Sequence, residues 1–382
     1  MYSIEDYGMM IKDSGRMEPY VQALQQAVKP GSVVLDIGTG TGIFAFLACK
    51  FGARQVYAIE PDSAVIVAQK LATANGLAER IKFYQELSTK VNLPEPADVI
   101  ICDLRGVLPL LQHHIPSIID ARERLLAPGG VLIPQQDILW AALVSVPKLY
   151  DYYCQPWNQN PYGVSMEGVS GWVKNKWIKS KIKPEHLLTQ PQRWATLDYT
   201  TIEQPNLKAQ LEWTITQAGI AHGFAAWFDA TLAEGIGFSN APGKPDLIYG
   251  RAYFPWLEPV KLLPGDRVKV KIKANLVKDD YIWSWHSQVC EAENNQSIKA
   301  NFQQSTFLAQ PFSPSQLHKQ ADSYQPQLNQ AGKITQRILD LMSQGQTLAN
   351  IAHTLTAEFP KKFPHWQAAL TLVGELSQQY SD

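Results

Sequence analysis

Residues 33–60, VVLDIGTGTGIFAFLACKFGARQVYAIE, restrict what this chain can fold into more than any other stretch. An apolar run closes on an acid, a glycine-rich turn follows, an apolar helical pattern begins, and a second apolar run closes on another acid. That order is a β-α-β unit of an open parallel sheet. It predicts a strand at 33–37, a turn through Gly38, Thr39, Gly40, Thr41 and Gly42, a helix at 43–51 and a strand at 55–60. Glycine is needed where the backbone takes positive φ or where a ligand must approach with no Cβ between. Glu60, closing the second strand, is placed to accept hydrogen bonds from two ribose hydroxyls. The spacing is GxGxG; GxGxxG would favour a dinucleotide with its pyrophosphate on the helix N-terminus. With Asp36 just before it, the turn suits a cofactor that has no phosphate and carries an ammonium and a sulfonium. S-adenosylmethionine is such a cofactor. A nicotinamide cofactor and a ligand-free Rossmann-like turn are the competing readings of the same residues.

At 382 residues the chain is too long for one ordinary domain, and its 45% hydrophobic content with 11 Trp can build large cores. The net charge of -1 advertises no basic field for nucleic acid. Cys49, Cys102, Cys154 and Cys290 are scattered without a CxxC pair, so they read as reduced, buried thiols and not as a zinc site. No signal peptide and no membrane-length apolar run are legible, which gives the expectation of a cytoplasmic protein without a membrane anchor.

The first thirty residues predict two short helices, with Arg16 between them. Its guanidinium can hold a cofactor carboxylate through a forked pair of bonds, or be a solvated surface group. After Glu60 a helix is expected at 63–75, a strand at 81–84, Ser88 and Thr89 near an adenine, and a strand at 97–103. That strand ends in Asp103, on the edge where open α/β sheets place their chemistry. Asp103 is the first candidate to orient or desolvate an acceptor, with His113 and His114 as bases nearby. Adjacent histidines on an apolar stretch are also ordinary packing or surface residues. Arg105 either pairs with an acidic acceptor or pairs with Asp103. A helix through 120–126, an APGG turn at 127–130 and a strand at 131–133 complete residues 1–134 as a Rossmann-like cofactor domain.

From 135 to 308 the pattern becomes alternating and aromatic-rich, as in DRVKVKIKANLV, and predicts antiparallel strands of a barrel. Within it, 166–193 interleaves Trp172 and Trp177 with lysines, read either as a nucleic-acid patch or as an exposed arm. Residues 309–330, rich in Gln, Pro and Ser, read as a linker, and 331–382 as a small helical appendage. The fold class is therefore α/β: a Rossmann-like domain, an antiparallel β-barrel and a helical C-terminal appendage.

The chain resembles the protein arginine methyltransferase family. The segments that carry the resemblance are MMIKDSGRMEPY, the glycine-turn unit, RERLLAPGGVLIP, PWNQNPYGVSM, and GFAAWFDATL followed by FSNAP. The resemblance implies S-adenosylmethionine as cofactor, with contacts from Met10, Arg16, Asp36, Gly38, Gly40 and Glu60. It also implies a barrel whose arm near 166–193 makes a homodimer, with no nucleic acid partner. The departures concern the acceptor. The family's two acceptor-gripping glutamates fall on Asp103 and Gln112, and its Thr-His-Trp loop falls on Leu247, Ile248 and Tyr249. Its N-terminal helix with two tyrosines is expected to be shortened away or absent. An amide cannot neutralise a guanidinium, so one charged contact is missing. The expected reaction is methyl transfer to a protein side chain. Transfer to a small molecule, and a non-catalytic binding module, are the alternatives.

Overall fold

The computed structural model describes residues 2–159, 161–292, 297–311 and 313–381, and the backbone alone of Asn158 and Pro161. Met1, Asn160 of the PWNQNPYGVSM segment, Phe312 of the expected linker and Asp382 lie outside the described residues. The chain forms two compact units, Met1–Pro311 and Phe312–Asp382.

The first unit opens with helices α1 (Ile4–Lys12) and α2 (Ser14–Ala27). A parallel sheet follows, built of β1 (Val33–Ile37), β2 (Gln55–Ile59), β3 (Ile81–Tyr84), β4 (Ala97–Cys102) and β5 (Leu126–Ile133), in the order β3-β2-β1-β4-β5. Helices α3 (Ile43–Lys50), α4 (Ala64–Ala74) and α5 (His114–Arg124) connect these strands. Every residue of β1 is buried, as a central parallel strand requires. Ile37 pairs with Ile59 of β2 on one side and with Cys102 of β4 on the other. This register brings Gly38, Glu60 and Asp103, each the next residue of its strand, to the same carboxyl edge of the sheet.

Two antiparallel sheets make the rest of the unit. One holds β6 (Gln136–Val144), β7 (Ile178–Ser180), β8 (Gln192–Asp198), β10 (Gly219–Ala233), β11 (Ile236–Ser239) and β12 (Arg251–Leu262); the other holds β9 (Leu207–Thr214), β13 (Arg267–Val277), β14 (Asp280–Cys290) and β15 (Ile298–Ser305). Along β13, Val268, Val270, Ile272 and Ala274 are buried, while Lys271 and Lys273 face water. Trp256, Trp283 and Trp285 fill the interior, and the indole of Trp256 donates to Ser287 Oγ at 2.9 Å. Between β6 and β7 run α6 (Pro147–Asn158) and α7 (Ser170–Lys174).

The second unit contains α8 (Pro314–His318), α9 (Gln330–Ser343), α10 (Leu348–Glu358) and α11 (Trp366–Tyr380). The last three share a core of their own through Ile334, Ile338, Ile351, Leu355 and Val373. Thr347 caps α10 by accepting from the amide of Asn350, as its place before the apolar stripe implies.

Several local expectations change. The helix expected to run through 126 ends at Arg124, and β5 begins at Leu126, so the APGG residues form a bulge between the Ala97–Leu126 and Val99–Val131 pairs. Of the basic, aromatic stretch 166–193, β7 pairs with β12 and so belongs to the sheet. The expected linker contains α8. The four cysteines are buried and free. Among the described residues no helix is long and apolar enough to cross a membrane, and no group of His, Cys, Asp and Glu could hold a metal.

Candidate functional site

The glycine turn adopts the backbone that its composition requires. Gly38, Gly40 and Gly42 have φ of 73°, 53° and 92°. A Cβ on Gly38 would lie 2.3 Å from Leu104, and one on Gly40 would lie 2.4 Å from the ring of Tyr7. Asp36, 1% exposed, accepts from Thr39 Oγ1 at 2.6 Å and from the Ala45 amide at 3.1 Å, so it caps the first turn of α3. Glu60 accepts from the Gly40 amide at 2.9 Å and the Asp62 amide at 3.0 Å. One oxygen of Glu60 is used by each amide, which leaves lone pairs for a diol. Burial pushes the carboxyl of Asp36 up to about 7, with the charge of Glu60 adding to the rise and the Thr39 and Ala45 bonds opposing it. Glu60 is raised for the same leading reason, burial.

A second, continuous network starts at Arg16. Its Nε donates to Asp103 Oδ2 at 2.7 Å, its Nη2 lies 2.6 Å from the same oxygen, and its Nη1 donates to the Met10 carbonyl at 3.2 Å. The hydroxyl of Tyr249 reaches both oxygens of Asp103, at 2.9 and 2.8 Å. Arg105 Nη1 donates to Asp103 Oδ1 at 3.2 Å, while its Nε and Nη2 form a forked pair with Asp137 at 2.8 and 2.9 Å. Arg105 also donates to the hydroxyl of Tyr20, and Tyr199 donates to Asp137. His114 Nε2 lies 3.1 Å from the Tyr199 hydroxyl. Burial raises Asp103, but the charges of Arg16 and Arg105 and the Tyr249 bond outweigh it and hold the carboxyl at about 2. Burial, assisted by Arg105, holds His114 down at about 3, so it is a neutral imidazole and a weak base.

The two groups of carboxylates offer what a sulfonium cofactor with an amino-acid tail and a ribose requires. Glu60 suits the ribose hydroxyls, Asp36 the positive charge, and the remaining Nη2 hydrogen of Arg16 a carboxylate. The donor set and the glycine cradle therefore fit S-adenosylmethionine.

The structure brings Met10, Arg16, Asp36, Gly38, Thr39, Gly40, Gly42, Glu60 and Asp103 to one edge of the sheet. Ser88 is buried in the connection between β3 and β4, where its carbonyl accepts from Arg124 at 2.9 Å. Gln112 and His113 lie apart from this network. Gln112 is exposed with φ of 42°, and His113 is exposed with its Nε2 3.1 Å from Asp279 in the β13–β14 turn. Tyr7 of α1 lies over Gly40, and Tyr2, before the start of that helix, is edge-on to Tyr7 with ring centroids 6.0 Å apart. Sequence reasoning missed Tyr7, Tyr20, Asp137 and Tyr199. For Asp137 a signal existed, an acid one residue into the alternating apolar strand β6.

The comparisons bear on the same residues. A family model described as ribosomal protein L11 methyltransferase matches residues 19–143, and one described as the arginine methyltransferase oligomerization subdomain matches residues 135–290. The probable protein arginine N-methyltransferase 6 of Arabidopsis thaliana is 32% identical over 244 residues, 62% of this chain and 55% of the relative. Protein arginine N-methyltransferase 6 of Xenopus laevis is 30% identical over 235 residues, 58% of this chain and 69% of the relative. The chain thus spans about half the length of the first of these curated relatives and about two thirds of the second. Among solved structures, protein arginine methyltransferase 10 of Arabidopsis thaliana superposes with a TM-score of 0.69 at 23% identity, covering 79% of this chain and 97% of that one. The enzyme–prozyme heterotetramer of Trypanosoma brucei PRMT1 with AdoHcy gives 0.70 at 19% identity, covering 78% and 96%. At these identities the two structures establish the shared fold.

The raised carboxyl of Asp36 sets a pH dependence. In the free protein a carboxyl raised to about 7 favours folding below the unfolded value and loses that contribution as pH rises through about 7. A cationic ligand binds the ionised form. Affinity for S-adenosylhomocysteine, measured by calorimetry, is therefore expected to rise with pH from 5.5 to 8, by up to about tenfold per unit below the transition. Asp36→Asn is expected to flatten this profile; a profile equally steep in the variant counts against the assignment.

Proposed function

The chain belongs to the protein arginine N-methyltransferase family, and on that premise we propose that it transfers a methyl group from S-adenosylmethionine to a side chain of a protein. The carrying observation is the register that brings the glycine turn, Asp36, Glu60 and the Arg16–Asp103 pair to one carboxyl edge. A protein arginine is the acceptor in the relatives' names, which favours a protein over a small molecule.

The bound cofactor supplies an electrophilic methyl group on a positively charged sulfur. This chain's residues have a positioning task, because an in-line displacement draws most of its rate from alignment of the acceptor lone pair with the methyl carbon. Asp36 and Glu60 fix the cationic and ribose ends. Arg16, oriented by Asp103 and the Met10 carbonyl, holds the carboxylate end. Tyr7, half-buried over Gly40, shields the turn from water. A general base is required only for an acceptor that arrives protonated.

We further assign a homodimer, through the arm expected near 166–193 together with the neighbouring helix α6. Tyr152, Val164 and Trp172 are 74%, 58% and 43% exposed, apolar groups that a partner surface would cover. The residues matched by the oligomerization-subdomain model include this segment. A cytoplasmic location agrees with four free thiols and is checked by fractionation against a cytosolic marker.

Two measurements test these readings. Incubation of the full-length protein with tritiated S-adenosylmethionine and a cell lysate is expected to label protein bands, and Arg16→Ala to lower the labelling by about tenfold or more. No labelling, together with no calorimetric binding of S-adenosylhomocysteine, removes the methyltransferase reading. Sedimentation at micromolar concentration is expected to give a dimer that Trp172→Asp weakens; a monomeric wild type contradicts the arm.

A further inference from the structure

We propose that a cavity beside the loop before β12 is a subsite for a carboxylate side chain, and that through Lys244 it selects acceptor segments carrying an acidic residue close to the side chain that is methylated. The inference rests on the methyl-transfer reading and adds a sequence preference to it.

The cavity, about 400 Å³, is walled by Gly15 of α2, by Phe238 and Ser239 of β11 and by Lys244 and Leu247 of the loop before β12. Gly15 lets these elements meet, since a Cβ there would lie 2.6 Å from Leu247 Cδ2. Two contacts put the cavity beside the reaction. Gly15 directly precedes Arg16, which holds Asp103. The ring of Phe238 stacks on Tyr249 with centroids 5.6 Å apart, and the Tyr249 hydroxyl reaches Asp103 at 2.8 Å. One stacked pair of rings therefore separates the cavity from the Asp103 carboxylate, a path on the order of 10 Å that an extended chain covers in about three residues.

The charge of the cavity decides what it holds. Lys244 is exposed and is the single ionisable residue of the lining. Among the described residues no acid pairs with it. The neighbouring acids are engaged by the chain itself. Asp13 accepts from the Arg16 amide at 3.3 Å with one oxygen and from the Ile248 amide at 2.6 Å with the other. Asp246 accepts from Arg251 Nη1 at 2.6 Å, and its second oxygen lies 3.5 Å from Lys181 Nζ. Ser239 Oγ accepts from the Ala241 amide at 3.0 Å, which leaves its hydroxyl hydrogen to donate.

The cavity thus offers an ammonium and a hydroxyl hydrogen over the apolar walls of Phe238 and Leu247. A carboxylate answers both donors, and the methylenes of a glutamate lie against such walls. A lysine or arginine at the same place would bring a like charge to Lys244.

The test uses the full-length protein, tritiated S-adenosylmethionine and a glycine-serine peptide with one arginine, compared with versions carrying a glutamate at each of the neighbouring positions. Glutamate about three positions from the arginine is expected to raise kcat/KM about fivefold, chiefly through KM, while glutamine at the same place does not. Lys244→Glu is expected to reverse the order, so that lysine becomes the favoured residue there, a swap that a merely structural lysine would not produce. Equal rates for the glutamate and glutamine versions at every position overturn the inference, as does a glutamate preference that survives Lys244→Glu. Where lysate proteins are labelled but the peptides are not, the same comparison is read by fluorescence anisotropy of tagged peptides on the complex with S-adenosylhomocysteine, and equal affinities overturn the inference. These outcomes leave the methyl-transfer reading standing; that reading falls, and the inference with it, only when lysate proteins stay unlabelled and S-adenosylhomocysteine does not bind.

Discussion

The saturated carboxylate of Asp103 is the interaction on which the rest of the site depends. It directly follows β4 at the carboxyl edge of the sheet, and the groups that converge on it come from α2, from the β4–α5 connection and from the loop before β12. Through Arg105 the same charge network reaches Asp137 in β6 and Tyr199 beyond β8, so it crosses from the parallel sheet into the barrel. A buried ion pair is weak evidence for net stability, because desolvation offsets the attraction. What such a network fixes is geometry: each guanidinium has donors at defined angles, and four partners leave Arg16 one orientation.

That orientation links the two halves of the site. Arg16 spends its Nε and one Nη2 hydrogen on Asp103 and donates from Nη1 to the Met10 carbonyl, which leaves one Nη2 hydrogen for a ligand carboxylate. The cofactor end and the acceptor end are thus coupled through one side chain. The cofactor half is conventional in its chemistry, with carboxylates facing a cation and a diol.

How much of this was legible in the sequence follows from the range of the interactions. The β-α-β unit was readable because its signals are local: apolar runs, acids at their ends and glycines at positive φ all lie within residues 33–60. Barrel strands such as β13 were readable from alternation. Boundaries failed where tertiary pairing overrode turn chemistry, as at APGG, where Val131 is drawn into register with Val99. The role of Asp103 was not readable. Nothing near residue 103 tells that Arg16, 87 positions earlier, and Tyr249, 146 positions later, close on it. Gln112 was a candidate because the family's second glutamate falls on it, and His113 because it shares the same connection; Gln112 has a left-handed backbone and both side chains are exposed.

The most direct test of the account is the titration of the Asp103 carboxyl carbon, followed by NMR in protein labelled with carbon-13 at aspartate and assigned with Asp103→Asn. A carboxylate held by two guanidiniums and a phenol hydroxyl is expected to keep its ionised chemical shift down to about pH 3, in line with a value of about 2. A buried carboxylate left open for an acceptor would instead be raised by desolvation, and a midpoint above about 4 would contradict the account.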